Sequence, residues 1–172
     1  LKSVVFPDSV NVIGDYAFMN CKNITSIVIP DGVTNIDYGV FYNCRSLSSV
    51  TIPDTVEIAD VFSFYGCDSL ITVKLPESVM MIDYRSFDGC ENLMSIVIEN
   101  PECYFHDEPE TIFSNTIIYG YKGSTAEAYA EKYNREFMPL DENPDGYIID
   151  KGVSDDGYLK WNLDDKGTLT VS

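Results

Sequence analysis

Residues 24–46, ITSIVIPDGVTNIDYGVFYNCRS, decide the fold, because their arrangement returns every 23 residues through more than half of the chain. Prolines stand at Pro7, Pro30, Pro53 and Pro76, phenylalanines at Phe18, Phe41, Phe64 and Phe87, and cysteines at Cys21, Cys44, Cys67 and Cys90. A period of this length means a solenoid, in which each coil buries its apolar edge only by stacking on a neighbour. With coils starting at Leu1, Ile24, Leu47, Leu70 and Leu93, the fourth positions are Val4, Ile27, Val50, Val73 and Ile96. The sixth are Phe6, Ile29, Ile52, Leu75 and Ile98. This alternation predicts one short strand per coil, ended in four coils by a proline that donates no backbone hydrogen bond. Stacked, the strands make a parallel sheet. Its outward positions are Ser3 and Val5, Ser26 and Val28, Ser49 and Thr51, Thr72 and Lys74, and Ser95 and Val97.

An acid follows each proline, at Asp8, Asp31, Asp54 and Glu77, and a second extended piece then ends at Ile13, Ile36, Ala59 and Ile82 to form the opposite wall. Asp37, Asp60 and Asp83 come next and suit N-caps of a helical turn carrying the Phe and Cys columns. After Ile98 the pattern breaks. Glu99 replaces the proline, and residues 100–110 put neither Phe nor Cys at the expected places, so the solenoid is expected to close here. Residues 116–119 read as a last strand. Ser124, Thr125, Ala126 and Glu127 have the spacing of a capping box, opening a helix with Ala126, Tyr129, Ala130 and Tyr133 on one face. Residues 136–140 would finish the cap. The expected organisation is therefore a solenoid over 1–140 with its cap from about 99 to 140, a linker over 141–157, and a second module starting at 158–172. That start reads as a hairpin of residues 159–163 and 168–171, with Gly167 in its turn.

Composition narrows the function classes. At 172 residues, 45% hydrophobic and 13% aromatic, the chain can bury a substantial core. A net charge of -17 repels nucleic acid and anionic membranes. No stretch of ~18 apolar residues exists to span a bilayer. Leu1 already occupies the first repeat position, where a solenoid end needs a polar cap, so the chain reads as a monomeric fragment of something longer. Four of the five cysteines share one repeat position; stacked with parallel Cβ vectors they suit buried thiols better than disulfides. Cys103 falls outside that column.

The pattern L-x-S-V-x-I-P-D-x-V-x-x-I-x-x-x-x-F-x-x-C, as it stands over residues 1 to about 98, resembles the BspA-like leucine-rich repeats of bacterial surface proteins. Residues 117–126 through Phe137 resemble the family's closing segment, and residues 161–172 the hairpin that introduces a further repeat block. The resemblance implies a leucine-rich-repeat solenoid of right-handed parallel coils with a strand-helix-strand cap. It also implies a secreted or wall-attached protein, with some relatives acting as adhesins. The chain departs from the usual Gly-x-x-Ala-Phe turn at Asp37, Asp60 and Asp83 and at Val40, Ser63 and Ser86.

Chemistry-bearing constellations are sparse. Cys103 and His106 would supply half a zinc site without a second pair, and as a nucleophile pair they lack an orienting third group. Asp141, Asn143 and Asp145 with Gly146 occupy positions one, three, five and six of a calcium loop, but the twelfth position is Gly152 rather than a bidentate acid. No enzyme activity and no cofactor are expected. Recognition is expected on the outward sheet face, at Ser26, Val28, Ser49, Thr51, Thr72, Lys74 and Val97; the tyrosine pairs Tyr38/Tyr84 and Tyr42/Tyr65 are the rival surface, although such tyrosines more often pack along the ladder edge. The expected role is a non-catalytic, adhesin-like module for a protein or glycoprotein surface ligand. The alternative is a spacer that presents another domain of a larger surface protein.

Overall fold

The computed structural model describes residues 4–7, 9–140, 161–163 and 169–171. In chain order the strands are β1 Ser26–Val28, β2 Asn35–Ile36, β3 Ser49–Thr51, β4 Ile58–Ala59, β5 Thr72–Leu75, β6 Met81–Ile82, β7 Ser95–Ile98, β8 Tyr104–Phe105 and β9 Ile117–Gly120. Helix α1, Thr125–Lys132, and strand β10, Phe137–Pro139, follow; β11 Trp161–Leu163 and β12 Leu169–Val171 form a separate antiparallel pair. The solenoid unit covers Leu1–Met138 and the remainder forms a second unit. The candidate calcium residues Asp141, Asn143 and Asp145 lie outside the described residues, as does the linker.

The repeat period becomes register. Ser26 pairs with Ser49, Thr72 with Ser95, and Asn35, Ile58, Met81 and Tyr104 pair in succession, always in parallel and always 23 residues apart. The second wall runs unbroken as β2-β4-β6-β8. The first wall does not form the single sheet expected from alternation. It divides into β1-β3 and β10-β9-β7-β5. Between the walls the core is a set of like-on-like columns. Phe18, Phe41, Phe64 and Phe87 stack nearly parallel, with centroids 5.6, 5.2 and 5.1 Å apart. The last three of these rings are fully buried.

The segment that carries these rings is not the helical turn expected. It is a run of β-turns bonded to the next coil. In the second coil Val40, Tyr42 and Cys44 donate their N–H groups back to the carbonyls of Asp37, Gly39 and Phe41. The intervening Gly39, Phe41 and Asn43 donate theirs across to Val61, Ser63 and Tyr65. Continuous helix would direct every N–H within its own coil, so the stack wins by taking every second one. The geometry requires a left-handed backbone at two points per coil: Tyr16, Gly39, Phe62 and Arg85 at the first, Asn20, Asn43, Gly66 and Gly89 at the second. At Gly66, φ is +67° and an added Cβ would lie 2.4 Å from the Asn43 Oδ1. The aspartates accordingly do not cap helices. The Asp60 and Asp83 carboxylates each accept the N–H of the following residue at 2.6 Å.

The cysteine column follows from the same turn. The thiols of Cys44, Cys67 and Cys90 donate to the carbonyls of Phe18, Phe41 and Phe64 in the preceding coil, at 3.0 to 3.2 Å. All five cysteines are free. Burial pushes the Cys44 thiol up to about 11 and those of Cys90 and Cys103 up to about 12.

The solenoid also does not close after Ile98. The fifth coil makes another circuit: β8 joins the second wall, and Ile112 bridges Phe87 at the end of the ring column. Cys103 turns inward at the level of Val79, each donating its N–H three residues back, to Asn100 and Pro76. Strand β9 pairs Ser95 with Ile117, so this coil is one residue shorter than the others. Helix α1 then covers the end, with Ala126, Tyr129 and Ala130 buried. Ser124 Oγ accepts the Glu127 N–H at 3.3 Å, while the Glu127 carboxylate reaches the N–H of Gly123 rather than that of Ser124. Tyr129 stacks on Phe105 at 4.8 Å and donates its hydroxyl to the Glu108 carbonyl at 3.0 Å. Lys132 and the Tyr133 hydroxyl close on Asp107, whose carboxyl they hold below the usual range.

Three stability measurements test this account. Phe64→Ala should cost roughly 3 to 5 kcal/mol by chemical denaturation, through the cavity left in the ring column; an unchanged midpoint would place that ring outside the core. Ser63 and Ser86 are both fully buried, yet only the Ser86 hydroxyl has acceptors, including the Asp83 carbonyl at 2.6 Å, whereas the Ser63 hydroxyl has none among the described residues. Ser86→Ala should therefore cost about 1 kcal/mol, whereas Ser63→Ala should be neutral or stabilising. Burial, and then the charges of Asp15 and Asp60, raise the Asp37 carboxyl above its ordinary value. Because the folded value is the higher one, ionised Asp37 destabilises the fold above it, and the cost vanishes once pH falls below the unfolded value. Asp37→Asn should raise the melting temperature at pH 7 and bring no gain at pH 3.

Candidate binding surface

The first wall presents its outward residues unequally. Ser26, Ser49 and Thr51 are exposed, and Val28 is 63% accessible. Thr72 and Lys74 are half-buried. Val97, expected on this face as a contact residue, is only 3% accessible, and its neighbour Ser95 is buried too. The register gives the cause. Val97 lies between Lys74 and Tyr119, two longer side chains that flank it, and Ser95 lies between Thr72 and Ile117. Ser95 and Thr72 join their hydroxyls at 3.1 Å, and Lys74 pairs with Glu99 at 2.9 Å. The open part of the first wall is thus its N-terminal half, on β1 and β3.

Beside the division between β3 and β5 lies an open depression of about 600 Å³, touched by Ser48, Ser69, Ile71, Glu91 and Met94. Its lining holds serines and the Glu91 carboxylate but no histidine. The chain's one histidine sits elsewhere, with His106 Nδ1 3.2 Å from Asp83 Oδ1 on the outer side of the second wall. Cys103 points into the core, so the two members of the Cys-x-x-His pair face opposite sides. Among the described residues no group of three or more His, Cys, Asp or Glu side chains is placed to hold a metal, and no helix is long and apolar enough to cross a membrane.

Tyrosines line the turn edge as expected, but in a longer chain of rings. Tyr16, Tyr38, Phe62, Tyr84 and His106 meet edge to face at 5.1 to 5.9 Å. Tyr42 and Tyr65 stack at 4.8 Å beside them. Phe62 escapes the repeat alignment because it stands one position after Tyr38 and Tyr84 in its coil. The outer face of the second wall, not singled out from sequence, carries exposed apolar residues, Val12 at 68% and Tyr104 at 56% accessibility, with Ile58 and Met81 half-buried between them. Its signal was available, since Val12, Ile58, Met81 and Tyr104 share one outward repeat position.

The profile of the BspA type leucine-rich repeat region matches residues 1–117 in six copies. No curated protein sequence matches the chain. Among solved structures the chain is similar to the pneumococcal vaccine antigen PcpA, at 13% identity and a TM-score of 0.48, over 78% of this chain and 43% of that one. It is similar to a leucine-rich repeat protein of T. pallidum, at 17% identity and a TM-score of 0.42, over 78% and 84% of the two chains. A third similar structure is a leucine-rich cell surface protein of Faecalibacterium prausnitzii, at 21% identity and a TM-score of 0.37, over 91% and 47%. The chain therefore spans less than half the length of PcpA. The repeat profile covers most of the residues, and the paired walls, stacked turns and Phe–Cys columns all fall within it: the chain belongs to the BspA type leucine-rich repeat family.

Proposed function

We propose that this chain is a non-catalytic recognition module of a bacterial surface or secreted protein, adhesin-like in action, whose ligand is a protein or glycoprotein of another surface. The observation that carries the reading is the open N-terminal half of the first wall. There Ser26 pairs with Ser49 and Val28 with Thr51, and all four side chains remain exposed. Hydroxyls alternating with methyl groups on a backbone fixed by its neighbours supply both hydrogen bonds and apolar contact at little cost in ordering. Family membership supports a surface setting, because repeats of this type build surface proteins.

The test is attachment of the purified chain to host matrix proteins, mucins and epithelial cells, at physiological salt, with and without calcium. Saturable binding is expected, weakened about tenfold by Val28→Lys or Thr51→Lys without a change in melting temperature. Phe64→Ala serves as the misfolding control. Undiminished binding by both lysine variants would remove the first wall as the contact face, and no attachment at all would favour a spacer role.

A further inference from the structure

The outer face of the second wall combines two columns of different chemistry. One, set by the register Asn35, Ile58, Met81 and Tyr104, is mainly apolar. The other stands two residues further along each coil, on the same side of an extended chain, and reads Asp37, Asp60, Asp83 and His106. Beyond the acids lie the rings of Tyr38, Phe62 and Tyr84.

At one end of this face the chain already sets nitrogen-bearing side chains against an acid and a ring. His106 places Nδ1 3.2 Å from the Asp83 carboxylate while its ring meets Tyr84 at 5.1 Å. The Arg85 guanidinium lies 5.2 Å from the centre of the same Tyr84 ring. The earlier rungs, Asp37 with Tyr38 and Asp60 with Phe62, repeat the carboxylate-plus-ring arrangement, and their carboxylates repel: the charge of Asp60 is among the causes that raise Asp37. A cation lodged between them would relieve that repulsion. Apolar side chains would meet Ile58 and Met81 alongside.

We propose that this face, from Asn35 to Tyr104, docks a basic polypeptide segment of a partner protein, its Lys or Arg side chains on Asp37 and Asp60 and its apolar side chains on Ile58 and Met81. Charge complementarity selects this occupant. A chain of net charge -17 repels a second copy of itself, a nucleic acid or an anionic lipid surface. The inference is independent of the first-wall reading, because the two walls present different residues and the variants that test one leave the other intact.

Fluorescence anisotropy with a short labelled peptide of alternating Lys and Leu, added to the intact chain at physiological salt, tests it. Lys–Ser and Glu–Leu peptides of equal length are the comparisons. The Lys–Leu peptide is expected to bind most tightly, and Asp60→Asn and Ile58→Ser are each expected to weaken it by about fivefold or more. Asp54→Asn, which removes the same charge from an exposed site in another column, should not weaken it. Equal losses for Asp54→Asn and Asp60→Asn, or equal binding of the Lys–Ser peptide, would reduce the effect to long-range attraction and overturn the proposal. So would absence of binding, or a dimer in sedimentation that Ile58→Ser converts to monomer. Asp60→Asn keeps the oxygen that accepts the Val61 N–H, so the test stands even if Ile58→Ser fails to fold.

Discussion

Every coil depends on the division of labour among backbone N–H groups in the turn segment. Half of them close turns within the coil and half bond to the next coil, so no coil can satisfy its own polar backbone alone. This constraint explains the left-handed residues and the direct superposition of like side chains. Register is transmitted rung by rung, and the phenylalanines stack because the backbone beneath them is locked in step. The energetics are those of a one-dimensional array, in which each interface adds a similar increment and the ends are weakest.

The ring and cysteine columns show how side chains reinforce the same device. Each Phe carbonyl at the level of Phe18, Phe41 or Phe64 accepts a Cys N–H from its own coil and a thiol from the next. A residue of another size there would lose either the bond or the fit between rings. The first wall is less constrained, and it divides between β3 and β5 while the opposite wall runs through. Its outward surface is therefore not one uniform face but an open half and a covered half, as the contrast between Val28 and Val97 shows.

Periodicity made the walls, the Phe and Cys columns and the capping helix legible before any coordinates, since each is a fixed spacing between residues of one kind. It failed where the cause lies outside the repeat. The turns read as helix because Tyr16, Phe62 and Arg85 adopt left-handed backbone without being glycine, leaving only Gly39 to mark that position. Val97 looked exposed because its alternation is sound, but Tyr119, from a strand outside the repeat pattern, flanks it. The fifth coil looked closed because Cys103 and Ile112 fill Val and Phe places out of phase. The ring column beside the acids was only half visible, since its members change position by one residue from coil to coil.

The thiol column has a chemical consequence. Disulfide formation and alkylation proceed through the thiolate, and burial that pushes Cys44 up to about 11 and Cys90 up to about 12 leaves that species, at neutral pH, in only about one molecule in ten thousand or fewer. Buried and already engaged with carbonyls, Cys44, Cys67 and Cys90 are kinetically silent towards oxidants. The cohesion of the column therefore rests on packing and on thiol-to-carbonyl hydrogen bonds rather than on crosslinks.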